Sequence, residues 1–303
     1  VMHENEKIQL FERAPIPRAV AKLAVPMIFS SLVMGLYNMA DTYFVGMMND
    51  PVENAAVSLA SPVLLAFNAV NNLFGVGTSS MMSRALGRKD YKTVSESSAF
   101  GFYCSLISGV IFGLLCGLLN SPLLTLIGAD KTTWSATQGY MFWAVYLGAA
   151  PAILNVVIAY LVRSEGAAMH ASIGTMSGCF LNIILDPIFI FVFKMGVVGA
   201  AVATVIGQFC GCGLALYMNL RKNHDLHLRF RGFRPDWKIV GNIYAIGLPS
   251  VVMVAIGSVM TFCMNKILIT YHSAKETAAT AFGIYFKLNS FVFMPVFGLN
   301  NGV

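Results

Sequence analysis

The chain has 303 residues, 57% of them hydrophobic and only 11% charged, with a mean hydropathy of +0.70. Soluble domains carry roughly 25% charged residues, so this composition excludes an ordinary soluble protein and indicates many membrane crossings. The net charge of +6 does not point to nucleic acid, because the basic residues lie in short connections between apolar runs, the pattern that orients membrane proteins.

The first 22 residues are polar and charged (Glu4, Glu6, Lys7, Glu12, Arg13, Arg18, Lys22), so no cleavable signal peptide is read ahead of the first apolar run at Leu23. With roughly 20 apolar residues to a helical crossing, eight spans are expected, at about 19–46, 54–83, 94–119, 136–161, 169–193, 197–219, 239–271 and 277–303. Val303 falls within an apolar run, so the last span is expected to be cut short and the chain to be a fragment.

Fifteen Lys and Arg residues fall on one side of this topology: in the N-terminal segment, after span two (Arg84, Arg88, Lys89, Lys92), at Arg163 and after span six. Lys131, Lys194 and Lys275 fall on the other. A cytoplasmic N-terminus and an inner (plasma) membrane location are expected. Residues 24–77 laid on 247–300 without gaps match at Pro26 and Pro249, Glu53 and Glu276, Ala55–Ala56 and Ala278–Ala279, Leu65 and Leu288, and Phe74–Gly75 and Phe297–Gly298. A parallel repeat of this kind is a transporter architecture with binding between the halves. The expected organisation is an N-lobe of six helices over 1–220, a basic cytoplasmic loop over 221–238, and the start of a C-lobe over 239–303.

Two aspartates stand inside these apolar runs. Asp41 in span one and Asp186 in span five are each the lone acid of their run. A carboxylate in hydrocarbon costs roughly 3 kcal/mol on insertion scales, so it marks an ion or substrate path. Asn182 and Asp186 are four residues apart and share a helix face, while Pro187 gives no N–H to the carbonyl of Ile183. The set offers hard oxygen ligands; the alternative is that Asp186 caps a broken helix or bonds a neighbouring span. Tyr37, Asn38 and Asp41 share a face of span one by the same spacing, with an outward-snorkelling aspartate as the competing reading. Both acids lie in outward-running spans at depths differing by roughly 5 Å. Thr204 and, one turn on, Gln208 approach that depth from span six. Sodium or a proton suits such oxygens better than a transition metal, which prefers His or Cys.

Elsewhere the reading is mostly packing. Gly109, Gly113 and Gly117, and Gly207 with Gly211, are small-residue repeats that let helices approach closely. The six cysteines are read as free buried thiols, and Cys210-Gly-Cys212 lacks zinc-site spacing. The methionines, among them Met27, Met34, Met253, Met260, Met264 and Met294, are read as core filler, with any on a cavity giving it adaptable walls. Glu165 is read as a solvated loop charge. Lys287, near the middle of span eight, is read as facing a cavity or pairing within its lobe. No nucleophile with a base and no phosphate loop is present, so no enzyme and no cofactor are expected.

The chain resembles the multidrug and toxic compound extrusion (MATE) transporters. The resemblance rests on Leu23-Ala24-Val25-Pro26 through Tyr37-Asn38-Met39-Ala40-Asp41-Thr42-Tyr43-Phe44-Val45-Gly46, and on Asn72-Leu73-Phe74-Gly75-Val76-Gly77 leading to Leu86-Gly87. Leu181-Asn182-Ile183-Ile184-Leu185-Asp186-Pro187 and Gly199-Ala200-Ala201-Val202-Ala203-Thr204 extend it. It implies an all-α, polytopic, two-lobe helical bundle with about eight of twelve helices present. It also implies exchange of Na⁺ or H⁺ for small organic compounds, with Asp41, Asn182, Asp186 and Thr204 as cation ligands, Tyr37 beside them, and bending at Pro26. The expected function is thus secondary antiport by a monomer among membrane lipids. The alternatives are a lipid-linked precursor flippase of the same superfamily, and a structural membrane subunit.

Overall fold

Hydrocarbon offers no partner to a backbone N–H or C=O, so apolar runs of this length close their hydrogen bonds within helices. The computed structural model describes residues 15–222, 236–270 and 275–302, and these form helices and short connections without strands. In chain order they are α1 (Ile16–Met47), α2 (Pro51–Asn71), α3 (Gly77–Gly87), α4 (Tyr91–Leu118), α5 (Asn120–Leu126) and α6 (Trp134–Met141). There follow α7 (Ala149–Ser164), α8 (Ala168–Pro187), α9 (Val197–Lys222), α10 (Trp237–Thr270) and α11 (Lys275–Gly302).

Among the described residues, six helical segments are long and apolar enough to cross a membrane. The pair α6 and α7, bent by 46°, is a seventh when read as one broken span, and α11 carries the apolar stretch Leu288–Asn300 at the eighth expected position. The chain is a multi-pass, all-helical membrane protein. Local chemistry sets the helix starts: Asp50 accepts the Val52 N–H at 2.9 Å with Pro51 in the first turn, and Asp90 accepts the Thr93 N–H and hydroxyl at 3.2 and 2.6 Å.

Three widened π-helical stretches interrupt the spans, at Asn72–Val76, Phe142–Leu147 and Ile188–Val192. The third follows Pro187 directly, where a missing N–H frees the ladder to change register. The bend after the second lies at Gly148, where a Cβ would stand 2.6 Å from the Ala144 carbonyl oxygen, so only glycine fits.

Glycines set the helix contacts. On α4, a Cβ at Gly109 would reach Ala150 at 2.7 Å and one at Gly113 would reach the Tyr146 carbonyl at 2.6 Å, whereas Gly117 meets Tyr146 only at 3.8 Å. Two of that expected repeat are therefore obligatory and the third is not. The two hairpins of the sequence repeat pack on each other reciprocally. Gly298 of α11 abuts Met27 and Ile28 of α1, while Gly247 of α10 abuts the Leu73 carbonyl and Gly77 abuts the Ile243 carbonyl. Pro26 and Pro249 sit inside long helices of 32 and 34 residues. The side chains of Glu276 and Lys287 lie outside the described residues, as do the expectations resting on them.

Several readings are corrected. Glu165 is fully buried, not solvated, because the turn between α7 and α8 folds under itself with Leu161, Val162, Ala167 and Ala168 all buried. Of the methionines named, only Met27 is core, at 2% exposure; Met253 is 76% exposed. The cysteines are free, but Cys210 and Cys263 are exposed and the other four half-buried. The reason is common to both: an apolar run in a membrane faces lipid or another helix as readily as the protein interior.

Candidate functional site

A close approach of two helix backbones leads directly to the acid site. Gly174 and Gly178 of α8 face Gly207 and Gly211 of α9, and a Cβ at Gly178 would stand 2.7 Å from the Gly207 carbonyl, one at Gly207 2.8 Å from the Gly178 carbonyl. With the two backbones touching, Asn182 one turn beyond Gly178 is pressed against Thr204 one turn before Gln208.

The Asn182 carboxamide is oriented by its neighbours. Its NH₂ donates to Asp186 Oδ2 at 2.8 Å and Oδ1 at 3.2 Å, and its oxygen accepts from the Thr204 N–H and hydroxyl at 3.0 and 3.1 Å. The reverse orientation would set oxygen against carboxylate. Asp186 is fully buried and Asn182 nearly so. The spacing inference that puts both on one helix face holds.

From α1, which packs along α8, come Tyr37 and Asp41, both half-buried. The Tyr37 hydroxyl hydrogen-bonds the Thr204 hydroxyl, and Tyr37 lies within electrostatic reach of Asp41 and Asp186. Asp41 and Asp186 act on each other in turn. Two carboxylates in one low-dielectric pocket repel when both are ionised, and a cation between them removes the repulsion. Tyr140, near the end of α6, is close to both acids and to Tyr37. Sequence reasoning missed it: a tyrosine near a span end is ordinary in membrane proteins, and nothing in its spacing ties it to α1 or α8.

The remaining predicted residues divide. Asn38 is exposed, so it does not share the cover of Tyr37 and Asp41; at the next position round the helix it has turned off their face. Gln208 is half-buried one turn along α9 from Thr204. Pro26 is buried in α1, fifteen residues before Asp41, at the contact with α11 and away from the acids. Among the described residues, no group of three or more His, Cys, Asp or Glu converges on a metal position.

Glu53 is a second residue whose place was not foreseen. Its carboxylate accepts the Val197 N–H at 3.1 Å and lies on Gly196, where a Cβ would stand 2.3 Å from it and φ is +61°. It caps the N-terminus of α9, the helix that carries Thr204.

The MatE family model matches residues 26–188. The multidrug export protein MepA of Staphylococcus saprophyticus is 32% identical over 300 residues, covering 99% of this chain and 66% of that protein. The protein of the same name from Staphylococcus aureus is 30% identical with the same coverage. Among solved structures, the outward-facing conformation of a multidrug resistance MATE family transporter of the MOP superfamily superposes with a TM-score of 0.91 at 29% identity. It covers 98% of this chain and 65% of that one. A MOP superfamily transporter from Pyrococcus furiosus, whose reverse pocket polarity is said to suggest a different function, superposes with a TM-score of 0.88 at 29% identity, over 98% of this chain and 65% of that one. The chain thus spans just under two thirds of the length of these relatives.

Proposed function

The chain belongs to the MatE family, and from that premise we propose that the whole protein is a cation-coupled antiporter that exports small organic compounds. MatE-family multidrug transporters are not enzymes, and the work is conformational. Na⁺ or H⁺ binds where Asp41, Asp186, Asn182 and Thr204 meet, with Tyr37 and Tyr140 beside them. Residues 1–220 form the lobe that holds this site, and 239–303 open the second lobe. The N-terminus faces the cytoplasm, in the inner membrane.

One observation carries the reading: a fully buried carboxylate, Asp186, within electrostatic reach of a second carboxylate, Asp41, on another helix. An expensive acid pair of this kind serves an ion. Binding drives transport only if the ion prefers one conformation over the other.

The test uses the full-length protein in vesicles loaded with an ethidium-type dye, under separately imposed Na⁺ and pH gradients. One gradient drives dye movement in the wild type, and neither drives it in Asp41→Asn or Asp186→Asn, with insertion unchanged. Wild-type flux in either variant sinks the coupling role. A second reading, movement of a lipid-linked precursor, rests on the sequence alone, on Lys287 within the last apolar run, since an ammonium facing a cavity would attract phosphate-bearing cargo. The same vesicles supplied with a lipid-linked sugar decide between the two.

A further inference from the structure

A cavity of about 330 Å³ lies at the basic end of the bundle, between the end of α3, the start of α4 and the first turns of α10. Its polar lining is Arg84, Arg88, Asp90, Thr93 and Asn242, and its apolar wall includes Met81 and Ile246. None of these residues belongs to the acid site.

The charge balance of the cavity favours an anion. Arg84 and Arg88 are exposed, and no ion pair holds either among the described residues. The single acid, Asp90, is engaged by the Thr93 hydroxyl and N–H at 2.6 and 3.2 Å, which hold its carboxyl below the usual range. Two guanidiniums and one committed carboxylate leave a net positive pocket with the Asn242 amide on its far side. Guanidiniums present planar pairs of donors suited to phosphate oxygens.

Depth identifies which phosphates reach it. Tyr91, next to Asp90, is 64% exposed, and Trp237, at the start of α10, is 80% exposed. Exposed Tyr and Trp beside a basic cluster at the ends of membrane helices mark the headgroup level. We propose that Arg84, Arg88 and Asn242 form a binding site for the phosphate of an anionic phospholipid headgroup, linking the end of α3 to α10. Basic pockets between helices at this level are a recognised form of lipid capture. The bound phosphate ties together two helices that touch at Gly77 and Ile243, so it favours the arrangement in which this end is closed.

The experiment uses the purified full-length protein in detergent, titrated with phosphatidylglycerol, phosphatidylcholine or inorganic phosphate and read by native mass spectrometry. The expected result is a retained phosphatidylglycerol that phosphatidylcholine does not replace. Arg84→Gln/Arg88→Gln should bind it roughly thirtyfold more weakly, about fivefold for each arginine. Asn242→Leu is a second variant and keeps both charges; it should weaken binding less. Arginine-dependent binding of inorganic phosphate without a lipid preference supports the anion site with a free anion as its ligand. Equal binding of both lipids, or unchanged binding in the double variant at an unchanged melting temperature, overturns it. Because the readout is binding, it is independent of whether the acid site couples transport.

Discussion

Replacing Gly178 by alanine tests whether the acid site depends on the glycine seam beneath it. The added methyl would stand 2.7 Å from the Gly207 carbonyl oxygen, where ordinary contact begins at 3.4 Å. The helices must part by about 0.7 Å, because packed backbones cannot absorb the overlap. The Asn182–Thr204 contacts, one turn away at 3.0 and 3.1 Å, then lengthen toward about 3.7 Å, past hydrogen bonding. Overpacking of this kind costs about 1–3 kcal/mol. The expected result is a lower melting temperature and dye efflux reduced by roughly tenfold, the effect of one lost hydrogen bond to a charged network. Gly174→Ala, clashing with Ala215 at 2.8 Å but a turn further from Asn182, should cost similar stability and less efflux. Gly213→Ala, on α9 with nothing within 4 Å, should be neutral or slightly stabilising, since alanine is the better helix former by about 1 kcal/mol. Wild-type melting and efflux in Gly178→Ala would refute the link between seam and site.

Three further outcomes follow from single contacts. Glu53→Gln removes the charge that caps α9 at Val197 and should cost about 1 kcal/mol, seen as a lower melting temperature; an unchanged melting curve would show the cap to be idle. Asp130 accepts from the N–H and hydroxyl groups of both Thr132 and Thr133, which hold its carboxyl at about 2 against an ordinary 3.8. Its folded value is depressed, so its stabilising contribution is complete above about pH 4 and is lost as pH falls through 2; carboxyl carbon NMR should show that titration, and a midpoint at the ordinary value would reject the turn. Tyr140→Phe removes the hydroxyl near both acids and should change the ion dependence of efflux with little change in folding. Identical Na⁺ and pH profiles would place Tyr140 outside the site.

What the sequence disclosed depended on whether a signal was local. The spans were legible because hydrophobic length is local, and Asp41 and Asp186 because a charge in an apolar run has no other context. The pairing of Asn182 with Asp186 followed from helical spacing alone. Thr204 was reachable through depth, a property of topology. Glu53 was conspicuous in the repeat, yet its partner Val197 lies 144 residues away, and no spacing rule spans that distance. Glu165 was misread for a related reason. Arg163-Ser164-Glu165-Gly166 has the composition of an exposed turn, and only the packing of α7 and α8 decides that it is buried. The orientation of the Asn182 amide was also invisible. Its residue type promised an oxygen ligand, whereas its neighbours turn the NH₂ toward Asp186.

That orientation bears on how the proposed coupling would work. With the amide NH₂ on Asp186 and the amide oxygen satisfied by Thr204, the carboxylate is stabilised by donors within its own lobe. A bound Na⁺ requires oxygen at that position, so the amide must rotate, giving up the Thr204 N–H while its NH₂ donates to the Thr204 hydroxyl, whose own proton is then free for Tyr37. A proton makes a smaller demand, since protonated Asp186 can itself donate to an amide oxygen. In either case the adjustment is passed to α1, the helix that carries both Tyr37 and Asp41. The same helix meets α11 at Gly35 against Phe291 and at Met27–Ile28 against Gly298. Drawing Asp41 toward Asp186 therefore moves a helix that is also one side of the seam between the two hairpins. An ion that binds one position of α1 better than the other shifts that seam by its difference in affinity and by no more. Because a methyl group at Gly298 would stand 2.7 Å from the Ile28 Cα, α1 has little room to slide there, and its C-terminal half, which carries Tyr37 and Asp41, is the part free to respond.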